Sequence, residues 1–251
     1  MIIKGSRELK SRYHELCPGD VFIGTIASKH LKRSMLIDLL ERGVHCLPTP
    51  LSQDLNGSKA AQALVLKELM LPHTLPVTRR TELIDAVNRY NKAGIGPVVS
   101  KENHMHCGHG VRRWDTIETL YSFMALSESS YPFVVQPFIE NFTDVRVIIV
   151  EDYVEAYERR NPNNFRMNLS SGGSVHPYTL GEDEERFCRK AMERGKFPYA
   201  HMDLHITGNG KYYLSEIALD GGIKGAKIGR KELDQKKEGI LERLAKHVQK
   251  G

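Results

Sequence analysis

The chain has 251 residues, 40% hydrophobic and 27% charged, enough apolar material for a sizeable core divided over two or three lobes. Its net charge of +5 is spread along the chain without a long basic run, which argues against a nucleic-acid footprint and suits a polyanionic small molecule equally well. No segment approaches ~18 uninterrupted apolar residues, the start lacks the apolar core of a secretory signal, and Cys17, Cys46, Cys107 and Cys188 form no CxxC; the expectation is a reduced cytoplasmic protein away from membranes.

Residues 21–27 (VFIGTIA) read as a buried strand. Residues 32–42 read as a helix with Met35, Leu36, Leu39 and Leu40 on one face and Gly43 as its stop. A second strand over 44–47 ends at Pro48 and Pro50. This is one β-α-β unit, a small domain over 1–55. Residues 51–58 are polar and turn-rich, with a boundary near Gly57. A helix is expected over 59–70 with Ala63, Leu66 and Met70 inward, then an extended piece over 75–78. Thr81 is the expected cap of a further helix to Lys92, with Glu82 in its first turn.

Residues 96–101 (GPVVSK) read as a strand ending in Lys101, followed by ENHMHCGHG. A lysine at a strand end, before Gly108 and Gly110, suits phosphate binding through a point charge and free backbone donors. A surface lysine before a loop is the alternative. His104, His106, Cys107 and His109 are competent metal ligands, but the spacing is not that of structural zinc sites; free imidazoles on a lid are the preferred reading.

A helix over 115–126 and a strand over 133–136 lead to the most informative stretch, QPFIENFTDVRVIIVEDYVEAYERRNPNNFRMNLSSGGS. Residues 145–150 and 154–157 alternate as strands around the polar break Glu151-Asp152. A two-residue turn puts Asp144 opposite Arg159 and Arg146 opposite Tyr157, and Asp144, Arg146, Glu155 and Arg159 on one face. Arg159, Arg160, Arg166, Asn168 and the pair Gly172-Gly173 then form a polar run suited to an anion, or to a surface loop.

Residues 182–194 read as a charged helix with Phe187 and Ala191 inward. Strands over 200–206 and 212–217 are joined by Thr207-Gly208-Asn209-Gly210, a strong hairpin signal. Around that turn Asp203 falls roughly opposite Leu214, with Glu216 on the face of Asp203, opposite or diagonal to it. Two carboxylates so close call for a cation, and a hard divalent ion on a nucleotide fits oxygen ligands; exposed carboxylates on a sheet rim are the alternative. Residues 221–225 are a glycine-rich loop. The last helix, 232–248, has Leu233, Ile240, Leu241, Leu244 and Val248 as its stripe and its lysines as a wet face.

Lys101 before a glycine loop, the hairpin with Asp144 and Arg159, Arg166-x-Asn168, then Asp203 and Glu216 on paired strands form an ordered set. It resembles the ATP-grasp ligases, nearest to the RimK-like branch, over about residues 51–227. The resemblance implies an α+β ATP-grasp fold: two α+β lobes with antiparallel sheets clasping ATP, behind a short N-terminal α/β domain. The expected division is 1–55, a central lobe over 56–132 with Lys101 and the phosphate lid, and a C-terminal lobe over 133–251 with the Mg²⁺ site. It also implies a reaction, in which ATP phosphorylates a carboxylate and an amine displaces the phosphate to form an amide. The substrates implied are small-molecule or peptide carboxylates and amines.

Carried over by motif, Lys101 and Lys59 contact the nucleotide phosphates, Gln136, Pro137, Phe138 and Ile139 form the hinge against adenine, and Asp144 sits near the ribose. His104, Gly108 and Gly110 belong to the phosphate lid. Arg159, Arg166 and Asn168 are the expected catalytic residues, the latter two also facing the phosphates. Asp203 and Glu216 are the expected ligands of Mg²⁺, with Mn²⁺ as a substitute. Where the family has asparagine two residues after the glutamate, this chain has Ala218: either two carboxylates suffice, or Asp220 stands in, or one metal site is lost. The competing expectation is a degenerate ATP-grasp protein that binds nucleotide or a partner without turnover. The short N-terminal domain leaves room for a second subunit or a partner protein to complete the acceptor site.

Overall fold

Short apolar runs closed by glycine build the first layer. Strands β1 (Ile2–Lys4), β2 (Val21–Ile23) and β3 (His45–Leu47) form a parallel sheet in the order β1-β2-β3. Helices α1 (Gly5–Arg12) and α2 (Lys32–Glu41) make its crossovers. The computed structural model describes residues 1–28, 30–105, 108–126 and 131–249. The unit holds one strand and one helix more than the β-α-β reading, because three-residue strands are too short for a periodic signal. On α2, Leu36 and Leu39 are buried while Leu40 is 57% exposed, so the inward stripe is narrower than expected over so small a sheet.

The turn-rich linker contains a helix. Thr49 accepts the Ser52 backbone N–H at 3.2 Å and Pro50 occupies the first turn of α3 (Pro50–Leu55). Ser58 caps α4 (Lys59–Val65) in the same way, and the chain tightens into a 3₁₀ turn over 67–69 where a longer helix was expected. Inside α4, the buried Gln62 amide donates to Leu55 O (2.7 Å) and Ile217 O (2.8 Å) and accepts Ile217 N–H (3.0 Å). It stitches α4 to the strand that carries Glu216. Gln62→Leu strands these backbone groups and is expected to cost about 1–3 kcal/mol. Chemical denaturation checks this, and an unchanged midpoint would contradict it.

The second sheet has the order β4-β7-β5-β6, antiparallel throughout, from β4 (Leu75–Val77), β5 (Val98–Glu102), β6 (Val111–Trp114) and β7 (Phe133–Pro137). Strand β7 thus lies in this sheet, although it follows residue 132. Helices α5 (Arg80–Lys92) and α6 (Ile117–Met124) share its core through Leu83, Tyr90, Leu120 and Phe133. The cap of α5 falls at Arg79 rather than Thr81: the Glu82 carboxylate reaches back to the Thr78 N–H at 2.7 Å and fixes the first turn two residues earlier.

The third sheet is five-stranded and antiparallel, ordered β10-β9-β8-β11-β12. Its strands are β8 (Phe142–Val150), β9 (Tyr153–Arg160), β10 (Ser174–Pro177), β11 (Ala200–Thr207) and β12 (Tyr212–Ala218). One face packs on α7 (Glu182–Gly195) and α8 (Arg230–Val248) through Val147, Met202, Cys188, Ala191, Leu233 and Leu241. Val21, Ile23 and Leu47 of the first sheet join that same core. On α8, Lys237 is buried, donating to Leu219 O (2.7 Å) and Asp220 Oδ1 (2.8 Å), and Leu244 is 38% exposed; the helix's wet face is not where its lysines alone would put it. No described helix is long and apolar enough to cross a membrane.

Candidate active site

Period-two alternation turns one face of the third sheet into the floor of a cavity of about 840 Å³. The hairpin pairs Asp144 with Arg159 and Arg146 with Tyr157, as the two-residue turn dictates. Across the sheet, Asp203 lies opposite Arg146 on β8 and opposite Glu216 on β12. The second pairing differs from the expected Asp203–Leu214 alignment. The register slips between Asp203 and Leu204, Ser215 is the extra residue, and the bulge brings the two carboxylates directly across from each other.

Arg159 is the hub of the floor. Its Nε donates to Asp144 Oδ1 at 2.6 Å and its Nη2 lies 3.0 Å from Asp203 Oδ2. Arg146 Nη2 donates to Asp203 Oδ2 at 3.2 Å, and its Nε lies against Asp203 Oδ1 without the direction of a hydrogen bond. Burial pushes the Asp144 carboxyl up, to about 6, against the pull of Arg159. Burial also raises Asp203, but Arg146 and Arg159 outweigh it and hold this carboxyl below its ordinary range. Asp144, expected near a ribose, spends its carboxylate on Arg159 within the cavity wall.

Two lysines reach the floor from the other lobe. Lys101, at the end of β5, donates to Ser215 Oγ at 3.0 Å; burial pushes its ammonium down to about 8, with Glu216 opposing the shift. Lys59, in the first turn of α4, donates to Met105 O at 2.6 Å and lies 3.4 Å from Glu216. Arg166 donates from Nε to Val111 O at 3.0 Å and stacks at 4.3 Å over Phe165. A Cβ at Gly108 (φ +74°) would lie 2.8 Å from Asn168 Nδ2, so only glycine lets this loop close over Asn168.

At the other end, Gln136, Pro137, Phe138 and Ile139 line an apolar slot. Phe138 N–H is held by Pro97 O at 2.9 Å, and the Arg113 guanidinium lies 4.4 Å over its ring. His104 and Gly110 do not line the cavity. A His104 ring nitrogen lies 2.6 Å from Gly57 O, and Gly110 O accepts Glu102 N–H at 2.9 Å. His106 and Cys107 lie outside the described residues, and His109 is exposed. Residue-level reading missed His201, His205, Ser215, Lys224 and Arg230, all in the cavity wall. The alternation in AHMDLHI, which places both histidines on the face of Asp203, was the available signal.

Asp203 and Glu216, two carboxylates facing each other across a sheet, are hard oxygen donors of the kind that fit Mg²⁺. Among the described residues, no cluster of three carboxylate, histidine or cysteine side chains is arranged to hold a metal alone. That donor set matches the habit of Mg²⁺ of taking one or two carboxylates and completing its shell with phosphate and water.

A family model of the RimK-like ATP-grasp domain matches residues 56–237. The chain belongs to this family. The matched span of this RimK-like ATP-grasp chain contains every described residue of the cavity wall, from Asn56 to Asp234. The chain is 26% identical over 196 residues, 75% of its length and 66% of the relative's, to a coenzyme gamma-F420-2:alpha-L-glutamate ligase of Methanocaldococcus jannaschii. It is 30% identical over 190 residues, 73% of its length and 62% of the relative's, to a probable alpha-L-glutamate ligase of Cellvibrio japonicus. The chain spans about half to two thirds of the length of the curated relatives it matches. Among solved structures, D-cycloserine synthetase DcsG superimposes with a TM-score of 0.62 at 14% identity, covering 89% of this chain and 84% of that one. The ATP-grasp ligase PsnB with minimal precursor, Mg and ADP gives 0.60 at 16% identity, covering 90% and 78%. These likenesses establish the ATP-grasp fold.

Proposed function

We propose that this chain is an ATP-dependent carboxylate–amine ligase that forms an amide or peptide bond. The observation that carries the reading is the bulged register that sets Asp203 opposite Glu216 beneath Lys59 and Lys101. The adenine is held in the slot from Gln136 to Ile139, and Lys59 and Lys101 receive the phosphates. Asp203 and Glu216 would hold Mg²⁺, which supplies charge neutralisation at the transferring phosphoryl group. Arg166 and Asn168, held against the loop at Gly108, orient that group, and Arg159 fixes Asp203 and Asp144 in place. The γ-phosphoryl group passes to a substrate carboxylate; an amine then attacks the acyl carbon, phosphate leaves, and ADP is released. No protein nucleophile is needed, so the task of these side chains is positioning and electrostatic stabilisation. The names of the relatives make L-glutamate the first amine to try.

Calorimetric titration of ATP with and without Mg²⁺, into wild type and Glu216→Gln, tests the site. Binding strengthened by Mg²⁺ and weakened about 10-fold or more by the substitution is expected. ADP release with an amino-acid panel then tests the reaction. Tight ATP binding with no ADP release across that panel would favour the non-turnover reading instead.

A further inference from the structure

Beyond Asp203, the cavity floor continues for one more row. His201 stands two residues earlier on β11, about 7 Å along the strand and directly opposite Ala218, and both residues line the cavity. The ring is 2% exposed, and neither of its nitrogens has a hydrogen-bond partner. An imidazole keeps at least one N–H to give in either protonation state, and leaving it unmet in a buried place is costly.

Cations surround that N–H. Arg146 lies beside it, and the backbone at Gly221 approaches both side chains so closely that a Cβ there would sit 2.7 Å from Arg146 Nη1 and 3.1 Å from His201 Nδ1. Arg230 Nη2 donates to Gly221 O at 2.7 Å, while its Nη1 stays 3.9 Å from Asp234. Lys224 lines the same cavity and makes no ion pair among the described residues. Asp220, the acid nearest to hand, is taken by Lys237 at 2.8 Å. Over the described wall as a whole, seven lysines and arginines face five carboxylates.

We propose that this corner, with His201, Arg146, Arg230 and Lys224, is the recognition subsite for a non-reacting carboxylate of the amino-acid substrate, His201 being the residue that reads it. Its purpose rests on the ligase reading above. The carboxylate takes the His201 N–H and the charge of Arg230 and Lys224, while the substrate's reacting end lies toward Asp203 and Glu216. Gly221 brings the backbone close enough to wall the corner.

The test follows the His201 ring directly. The full chain is labelled with ¹⁵N-histidine, and the His201 signals are assigned by their disappearance in His201→Gln. L-glutamate, L-aspartate and L-alanine are titrated in turn, with L-alaninamide as the control lacking a carboxylate. At least one of the three amino acids is expected to move the His201 signals saturably while L-alaninamide leaves them fixed. Arg230→Ala is expected to weaken that response about tenfold, the loss of one hydrogen bond to a charged group. Silence toward all three amino acids, an equal shift with L-alaninamide, or an undiminished response in Arg230→Ala overturns the subsite. Calorimetric ATP binding on the same sample separates the two readings. ATP binding with a silent His201 sinks the subsite alone; a responsive His201 without ATP binding sinks the ligase reading.

Discussion

Replacing Arg159 with leucine is expected to cost the fold about 3–5 kcal/mol at neutral pH. The side chain is 7% exposed and bridges Asp144, which is buried, and Asp203, which is half-buried. Without it, two carboxylates share the floor with Arg146 as the remaining cation in contact with Asp203, and Asp144 keeps only His205, whose Nε2 is 3.7 Å away. His205 is held neutral by burial and Lys101, pushed down to about 3, so it offers no charge. The pH dependence has a definite sign. Asp144 is raised in the folded state, so its burial penalty is absent below the unfolded value near 3.8 and grows as pH rises through about 6. Asp203 is depressed, so its contribution is present above 3.8 and lost as pH falls further. In Arg159→Leu the first effect grows and the second shrinks, so the deficit widens from pH 4 to pH 8. Urea denaturation at several pH values reads this directly. A variant within 1 kcal/mol of wild type at pH 7 would remove Arg159 from its place at the hub. Adding Asp144→Asn to the variant is expected to recover part of the loss, because it deletes the uncompensated charge.

Lys101→Met is expected to lower turnover about 10²–10³-fold while leaving the fold at least as stable as wild type. Those two effects separate a functional lysine from a structural one. Burial depresses the folded ammonium to about 8 from an ordinary 10.5, so the charged form is penalised at neutral pH and the penalty fades as pH rises from about 8 to 10.5. Methionine removes that penalty. The same depression predicts proton uptake when ATP binds. Phosphate near the ammonium restores its basicity, so at pH 8 to 9 each binding event draws a fraction of a proton from the buffer, and affinity falls as pH climbs above about 8. Titrations in buffers of different ionisation enthalpy detect the uptake. It is expected in wild type and absent in Lys101→Met. Binding without uptake in wild type would mean that the phosphates lie away from Lys101.

How much of this was legible beforehand depended on which physical signal carried it. The β8–β9 hairpin register was readable to the residue because alternation and a two-residue break leave only one alignment that keeps both faces consistent. The β11–β12 register was not, since a bulge at Ser215 adds a residue without any glycine or proline to announce it. Helix α3 hid behind polar composition, although Thr49-Pro50 is a start signal in plain view. Lys237 was read as solvated because lysine on a helix usually is; its burial follows from Leu219 O and Asp220 Oδ1, which only the tertiary fold brings to it. The nucleotide roles of Lys59 and of the slot from Gln136 to Ile139 came from family resemblance rather than from pattern, and the structure adds that both lie on one cavity wall.

The sharing of one core between the first sheet and the large C-terminal sheet has a consequence for engineering. Val21, Ile23 and Leu47 lie with Leu233 and Leu241 in a single apolar cluster, whereas the sheet carrying Lys101 encloses a core of its own around Tyr90, Leu120 and Phe133. A chimera that imports the segment 74–137 from a homologue therefore keeps that core whole and must match the stretch from α4 to Met70 where Val134 packs on Ala60, Ala63 and Met70. A chimera that imports residues 1–55 must bring a matching terminal helix with it, or leave the underside of α8 bare.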